Sequence, residues 1–392
     1  MNHSKPLRYL MFGLLYFTQG TILSYFTALN ALYFLSQGLT MTNAGVFSAI
    51  ALLPFVIKIF LGMLSDRINL LEMGYRKPYI LLGLAVQFVC LLIAPAIDLS
   101  TQFWLFVALA FVLQMGMALY DTCTDGLALD TTPPAEQGVI QGFMVGGRAL
   151  GVVATASVVG VLAQYVSWQA VFWLLAALTL LPLPLVLGVR ESERPAERRF
   201  DWKAFAAFKS RAVLAVGGVG LISFMVIVGA NQLVNPFFQQ RFQIDLSQAG
   251  FFTTLWGLFT VAGAALGGRL NNRLGQKQVV LVAMAAASLS LLVLTLTGSL
   301  GMAWGTLAFF GLAYGVYQTV IFALAMRYTE PRIAASMFAI LMAFTNLGQG
   351  IGLGLGGALV DILGFSLTFM AFAGVNLLVL GLLPLITRPS SE

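Results

Sequence analysis

Charge, histidine and cysteine are all scarce in this chain. Of 392 residues only 9% are charged, histidine occurs once and cysteine twice. Each shortage removes a class of function. Soluble globular domains are about one quarter charged, so this composition excludes an ordinary soluble domain. The single histidine, His3, leaves no H-E-x-x-H helix, no Ser-His-Asp triad and no histidine-based metal cluster. A G-x-x-x-x-G-K-[ST] loop for ATP is also missing. Cys90 and Cys123 both fall inside apolar segments, where they offer neither a disulfide framework nor a C-x-x-C site. An intramembrane hydrolase, a metalloenzyme and an ATP-driven pump are thereby disfavoured, and the expectation is a protein that is not an enzyme and carries no cofactor or metal. The formal charge of +6 comes from 21 Lys and Arg against 15 Asp and Glu. These cations are scattered between apolar runs rather than gathered on a soluble face, so no nucleic-acid partner is expected.

What the chain has instead is hydrocarbon. Hydrophobic residues make up 59% of it, and the mean hydropathy is +0.90. Apolar runs separated by turn and charge signals give twelve expected membrane-spanning helices, at roughly 8–35, 43–65, 78–97, 102–130, 137–164, 168–189, 211–239, 246–270, 278–298, 301–327, 333–360 and 365–387, each near the ~20 residues a span needs. Lys5 and Arg8 precede a long apolar run without a small-residue cleavage site, which reads as a retained first helix. With a cytoplasmic N-terminus, all 21 cations except Lys58, Arg148 and Arg241 fall in cytoplasmic segments. That asymmetry follows the positive-inside rule and puts both termini in the cytoplasm of a plasma or inner membrane.

The one long polar stretch, residues 190–210, is expected to be a cytoplasmic linker with a short amphipathic piece around Trp202, Phe205 and Phe208 on the membrane surface. It divides the chain into an N-terminal six-helix bundle, 1–189, and a C-terminal one, 211–392. The halves repeat. One constant spacing pairs Tyr120 with Tyr317, Pro134 with Pro331, Gly151 with Gly348 and Gly160 with Gly357. After span two the chain reads Gly62, Ser65, Asp66, Arg67, then Gly74, Arg76, Lys77; after span eight it reads Gly268, Arg269, Arg273, Gly275, Lys277.

Two such halves, a central linker and this loop motif in both copies resemble the major facilitator superfamily over the whole chain. The stretch Pro54, Lys58, Gly62, Ser65, Asp66, Gly74, Tyr75, Arg76, Lys77 is similar to the folate–biopterin transporter family. The D-x-x-x-D of Asp121 and Asp125 is similar to that of the same family, the AmpG-type muropeptide permeases and the acetyl-CoA transporters, while Thr124 to Leu129 resembles the bacteriochlorophyll-delivery branch. The resemblance implies an all-α membrane fold of two pseudo-symmetric six-helix bundles. It also implies that Asp66, Arg67, Arg76, Lys77, Arg269 and Arg273 form a cytoplasmic gate.

Four charges lie deep inside the expected spans: Lys58, Asp121, Asp125 and Arg148. An ionised side chain at the bilayer centre costs about 2.5–3.5 kcal/mol on insertion scales, so such groups face a cavity or a partner. Asp121 and Asp125 are one turn apart on the same face of span four. Spans four and five form a hairpin about residue 134, so the helical rise puts Asp121 level with Arg148, roughly 15–20 Å from the turn. Lys58 falls at a depth comparable to Asp125. Three readings stand: a structural ion-pair network, a carboxylate that takes up the coupling proton, and a cation that binds an anionic substrate group. Amides and aromatics complete the expected cavity lining: Gln19 and Tyr25 in span one, Asn231, Gln232 and Asn235 in span seven, Gln318 in span ten, and Asn346 and Gln349 in span eleven. Glycines crowd span eleven, where close helix packing is expected, and Pro54 and Pro236 are expected to kink spans two and seven. The whole pattern fits a monomeric, proton-coupled secondary transporter of a small polar, anionic organic solute. The rival is a non-transporting protein of the same fold that handles a pigment.

Overall fold

The computed structural model describes residues 5–72, 74–132, 136–189, 191, 210–328 and 334–386. The expected linker, apart from Glu191 and Ser210, lies outside these residues, as do Pro134 and Pro331. All regular structure among the described residues is helical. In chain order the helices are α1 (Lys5–Ala28), α2 (Asn30–Ser36), α3 (Met41–Val56), α4 (Lys58–Arg67), α5 (Lys77–Ile93), α6 (Phe103–Thr131), α7 (Gln137–Tyr165), α8 (Trp168–Thr179) and α9 (Leu183–Leu187). They continue with α10 (Arg211–Phe242), α11 (Leu246–Arg273), α12 (Gln276–Thr295), α13 (Leu300–Arg327), α14 (Ala334–Leu363), α15 (Phe365–Asn376) and α16 (Val379–Leu382).

Among the described residues, ten helical stretches, from Lys77–Ala96 to Phe365–Leu385, are long and apolar enough to cross a membrane, and Met41–Val56 is a shorter apolar helix. The first two spans are each made of two pieces. Span one breaks at Leu29, whose N–H still bonds the Tyr25 carbonyl before the chain restarts as α2. Span two breaks at Ile57, and the Phe60 N–H there bonds back only three residues, to the Ile57 carbonyl at 3.0 Å. Pro54 sits three residues ahead of this break and lacks a backbone donor, which weakens the ladder at that point. By contrast, α10 continues through Pro236.

The helices gather into two units. One comprises Met1–Asn30, Ile57–Arg199 and Asp245–Thr254. Within it α1 lies against α7 so closely that a Cβ on Gly20 would stand 2.1 Å from the Arg148 carbonyl oxygen, and one on Gly151 would stand 2.2 Å from that of Phe17. No side chain fits there, which is the role small residues play at membrane helix crossings. The first turn of α11 packs on α7 in the same way, Gly250 against Gly160, and Gln164 Oε1 accepts the Leu246 N–H at 3.1 Å.

The other unit comprises Ala31–Val56, Phe200–Ile244 and Leu255–Glu392. Here α14 uses its glycine row on two neighbours. Gly348 and Gly352 meet the Leu221 and Met225 carbonyls of α10, and Gly357 meets the Met41 carbonyl of α3. Asp361, one turn beyond, caps α3 by accepting the Met41 N–H at 3.2 Å and the Thr42 N–H at 2.7 Å. The spacing that relates Gly151 to Gly348 and Gly160 to Gly357 also relates Gln164 to Asp361. The repeat is therefore visible in packing roles as well as in residue types. Its tyrosine pair behaves alike too: Tyr120 bonds Thr18 and the Leu15 carbonyl, while Tyr317 donates to Asn376 Oδ1 at 2.7 Å, both rings fully buried.

Candidate functional site

Polar side chains of α1, α4 and α6 meet inside the first unit. Asp121 is buried, and its carboxylate accepts two donors: Gln19 Nε2 of α1 at 2.7 Å and Lys58 Nζ of α4 at 3.2 Å. One turn further along α6, Asp125 accepts the Tyr16 hydroxyl. Tyr16 and Gln19 are three apart on α1 and meet Asp125 and Asp121 in reverse order, as antiparallel helices require. The two carboxylates are thus held by one helix face.

The break in span two gives Lys58 its place. It is the first residue of α4, so its ammonium and the positive end of the helix dipole add at one spot. The Lys58 side chain is 26% exposed and that of Asp121 8%, which leaves the pair reachable from one side. Arg148 lies on α7 and is exposed, and among the described residues it takes no hydrogen bond or ion pair. Lys58, rather than Arg148, is the cation bound to Asp121 in this structure. The formal charges of Lys58, Arg148, Asp121 and Asp125 sum to zero, with one cation uncommitted.

The other expected lining residues fall in two groups. Tyr25 is buried on α1 against Phe172 and Phe26. In the second unit, Asn346 Nδ2 donates to the Phe55 carbonyl at 2.9 Å, and Gln349 Nε2 donates to Asn346 Oδ1 at 3.1 Å. Gln232 makes a long 3.4 Å bond to the Leu353 carbonyl, Asn235 is buried, and Asn231 and Gln318 are half-buried on α10 and α13.

The expected gate residues of the first half form a cluster. Arg76 is buried, with Nη1 on Ser65 Oγ at 2.5 Å and Nε 3.5 Å from Asp130 Oδ2. A Cβ on Gly126 would stand 2.5 Å from this guanidinium. The Glu191 carboxylate accepts the N–H groups of Tyr75, Arg76 and Lys77 at the start of α5, and Lys77 Nζ donates to the Leu187 and Val189 carbonyls. The side chains of Asp66 and Arg67 lie outside the described residues. Arg269 and Arg273, in the second copy, are exposed.

Residues the sequence did not single out are Tyr16, Asp130, Glu191 and Asp361, whereas Ser65 stands in the loop motif after span two. Tyr16 had one available signal, its three-residue spacing from Gln19. The others act on backbone groups or guanidinium from distant segments, and nothing local marks them.

A helical chain with ten apolar spans among the described residues, and with Lys58 paired to Asp121, has the architecture of a multi-pass integral membrane protein. The model of the Major Facilitator Superfamily matches residues 9–235 and again 217–392, and the chain belongs to that family. Among curated relatives, the anhydromuropeptide permease of Escherichia coli (strain K12) is 24% identical over 373 residues, covering 91% of this chain and 73% of the relative. The folate-biopterin transporter of Synechocystis sp. is 24% identical over 412 residues, covering 93% and 77%. Among solved structures, the nucleoside transporter NupG superposes with a TM-score of 0.80 at 13% identity, covering 98% of this chain and 99% of that one.

Proposed function

We propose that this transporter is a proton-coupled carrier of a small, polar, anionic organic solute, exposing one central site alternately to the two sides of the membrane. The two six-helix halves, 1–189 and 211–392, are the moving bodies, joined by the linker 190–210. The repeat in the sequence and the family model's two successive matches support that division. Both termini are cytoplasmic on this reading, as the distribution of cations favours, and the carrier acts as a monomer.

One observation carries the proposal: Asp121 and Asp125 are held by Lys58, Gln19 and Tyr16, while Arg148 on α7 is exposed and uncommitted. An uncommitted guanidinium in a membrane span attracts a carboxylate or phosphate. Once an anion binds it, the local charge turns negative by one, and a proton on Asp121 or Asp125 restores neutrality. That is the logic of anion–proton symport, and it uses the residues present. The discontinuity at Ile57 adds to it, because broken helices in carriers bring helix ends and charges to the substrate.

The experiment has two stages. A thermal-shift screen against pterins, folates, muropeptides, acyl-CoA, siderophores and chlorophyll precursors finds the ligand. Uptake driven by a pH gradient is then measured in proteoliposomes for Asp121→Asn, Asp125→Asn and Arg148→Gln. Survival of gradient-driven uptake in both aspartate variants would remove the proton role, and unchanged apparent affinity in Arg148→Gln would remove the anion role.

A further inference from the structure

Two polar groups in the second unit are enclosed and bonded to nothing. Trp256 of α11 is 7% exposed, and among the described residues its indole Nε1 has no acceptor; Thr260 Oγ1, one turn further on the same face, has no partner either. A dry donor in a membrane protein costs free energy, because neither water nor lipid replaces the missing bond. The neighbouring helix adds a third group. A Cβ on Gly311 of α13 would stand 2.7 Å from the Trp256 carbonyl oxygen, one on Gly315 would stand 2.0 Å from that of Thr260, and the Trp256 and Tyr314 rings meet edge to face with centroids 5.1 Å apart. The two helices therefore run side by side in the same direction. The residue that is level with Thr260 as Tyr314 is with Trp256 is Gln318, whose amide is half-buried and takes no hydrogen bond among the described residues. One turn beyond it, Phe322 stacks on Phe224 of α10 at 5.4 Å. All six residues belong to one unit.

The repeat tells what this face replaces. The spacing that relates Tyr120 to Tyr317 puts Gln318 at the place of Asp121 and Phe322 at the place of Asp125. In the first unit that face of α6 is anionic and takes a lysine from span two. In the second, the corresponding face of α13 is an amide between two aromatic rings, and span eight brings an indole and a hydroxyl to it. We propose that Trp256, Thr260 and Gln318 form a binding subsite for an uncharged ring bearing carbonyl or hydroxyl oxygens, a heterocyclic base or a sugar ring. An indole only donates, so the ligand must offer it an acceptor, whereas the Thr260 hydroxyl and the Gln318 amide each donate and accept. Tyr314 and Phe322, one turn to either side of Gln318, supply aromatic surface for the ring itself. None of the six side chains is charged, so a charged group would leave water here without a counter-ion. The subsite goes beyond the anion–proton reading and does not depend on it, since it uses neither Arg148 nor the aspartates.

The test reads the indole N–H groups of the purified full-length protein by NMR after labelling its tryptophans with ¹⁵N. The chain has six tryptophans, and the signal missing from Trp256→Phe identifies Trp256. Three probes are titrated: 1-methyluracil for a heterocycle, methyl β-D-glucopyranoside for a sugar, and acetate as a charged control without a ring. The Trp256 signal is expected to move saturably with one of the two rings, which names the ring, and to stay still with acetate. Thr260→Val and Gln318→Leu, read through the same signal, are expected to weaken that binding about fivefold or more, the scale of one lost hydrogen bond. Thr260→Val keeps the side-chain shape and removes an unpartnered hydroxyl, so the melting temperature without probe is expected to be equal or higher. A structural role for the hydroxyl would lower it. Four results overturn the subsite: no movement of Trp256 with either ring at the limit of solubility, all six signals moving together, wild-type binding in both Thr260→Val and Gln318→Leu, or a Thr260→Val protein that melts lower and shifts Trp256 with no probe present. The last means that a buried water, and only that, occupies the place.

Discussion

Replacing Lys58 by methionine separates a structural ion pair from a functional one. The substitution keeps most of the aliphatic volume and removes the ammonium, which leaves the Asp121 carboxylate with Gln19 as its donor. Breaking a fully buried pair from one side costs about 3–5 kcal/mol. The Lys58 side chain is 26% exposed, so water screens part of that loss and the expected cost is about 1–3 kcal/mol. In thermal unfolding of the purified protein this is a fall of a few degrees, since each kcal/mol moves a large domain by about 2–4 °C or less. Combining Lys58→Met with Asp121→Asn removes both charges, keeps an amide where Gln19 donates, and is expected to return the melting temperature to within about 1 kcal/mol of wild type. Transport is expected to behave differently: absent in either single variant and still absent in the double. Two results refute this. A Lys58→Met protein as stable as wild type means the pair does not carry the energy its burial implies. A double variant that regains both stability and gradient-driven uptake means the pair only holds the bundle together, and the proposed coupling site is wrong.

Three further outcomes follow from the packing and the polar ends. Gly357→Ala puts a methyl 2.1 Å from the Met41 carbonyl oxygen of α3, whereas Gly354→Ala meets only an ordinary 3.7 Å contact with Ala49; the first is expected to cost about 1–3 kcal/mol and the second to be neutral or stabilising by up to about 1 kcal/mol, read as melting temperatures. Glu136 accepts Lys5, Arg8 and Tyr9, and the hydrogen bond from Lys5 holds its carboxyl below the ordinary value of 4.5. Its contribution is therefore complete above that value and lost as pH falls through the depressed one, so the stability difference between wild type and Glu136→Gln is expected to shrink as pH falls below 4.5 and to vanish once the carboxyl is protonated, read in a melting series. Glu191→Gln keeps one acceptor oxygen but removes the charge that three backbone N–H groups share, and a loss of about 1 kcal/mol is expected in the same assay.

Much of the fold is legible in the sequence because the bilayer imposes a crude rule. A helix that crosses hydrocarbon must be long and apolar, so length and hydropathy alone give ten of the spans among the described residues. The same rule makes Lys58, Asp121 and Asp125 conspicuous, since a charge inside an apolar run has few structural excuses. The pairing between them is less legible. The register of the hairpin about residue 134 pointed to Arg148 as the cation level with Asp121, but register along one hairpin says nothing about which way a side chain turns. The cation that Asp121 takes comes instead from α4, whose start is set by the break at Ile57. Pro54 announced a weak point in span two, and the break falls three residues later, where the ladder finally fails. Tyr16 was hard to see for a different reason. On an apolar helix a tyrosine reads as packing, and only its hydroxyl reaching Asp125 makes it a ligand of the site.

The repeat carries the argument furthest. Gly160 and Gly357 occupy equivalent places, and each lets a neighbouring helix start approach to backbone contact: α11 in one unit, α3 in the other. One turn on, the equivalent residues Gln164 and Asp361 cap those same helix starts. The geometry has been kept in both copies while the chemistry has diverged, because a neutral amide caps one and a carboxylate the other. A carboxylate interacts with the helix dipole and is lost on protonation, and an amide does neither to the same degree. Asp361→Asn is therefore expected to weaken the α3 cap, whereas Gln164→Asn, a shortened neutral cap, tests reach alone at the start of α11. Proteolysis or hydrogen exchange over residues 41–45 and 246–250 distinguishes them: faster exchange only at 41–45 in Asp361→Asn supports the asymmetry, and equal protection in wild type and Asp361→Asn would show that the charge contributes nothing to the cap.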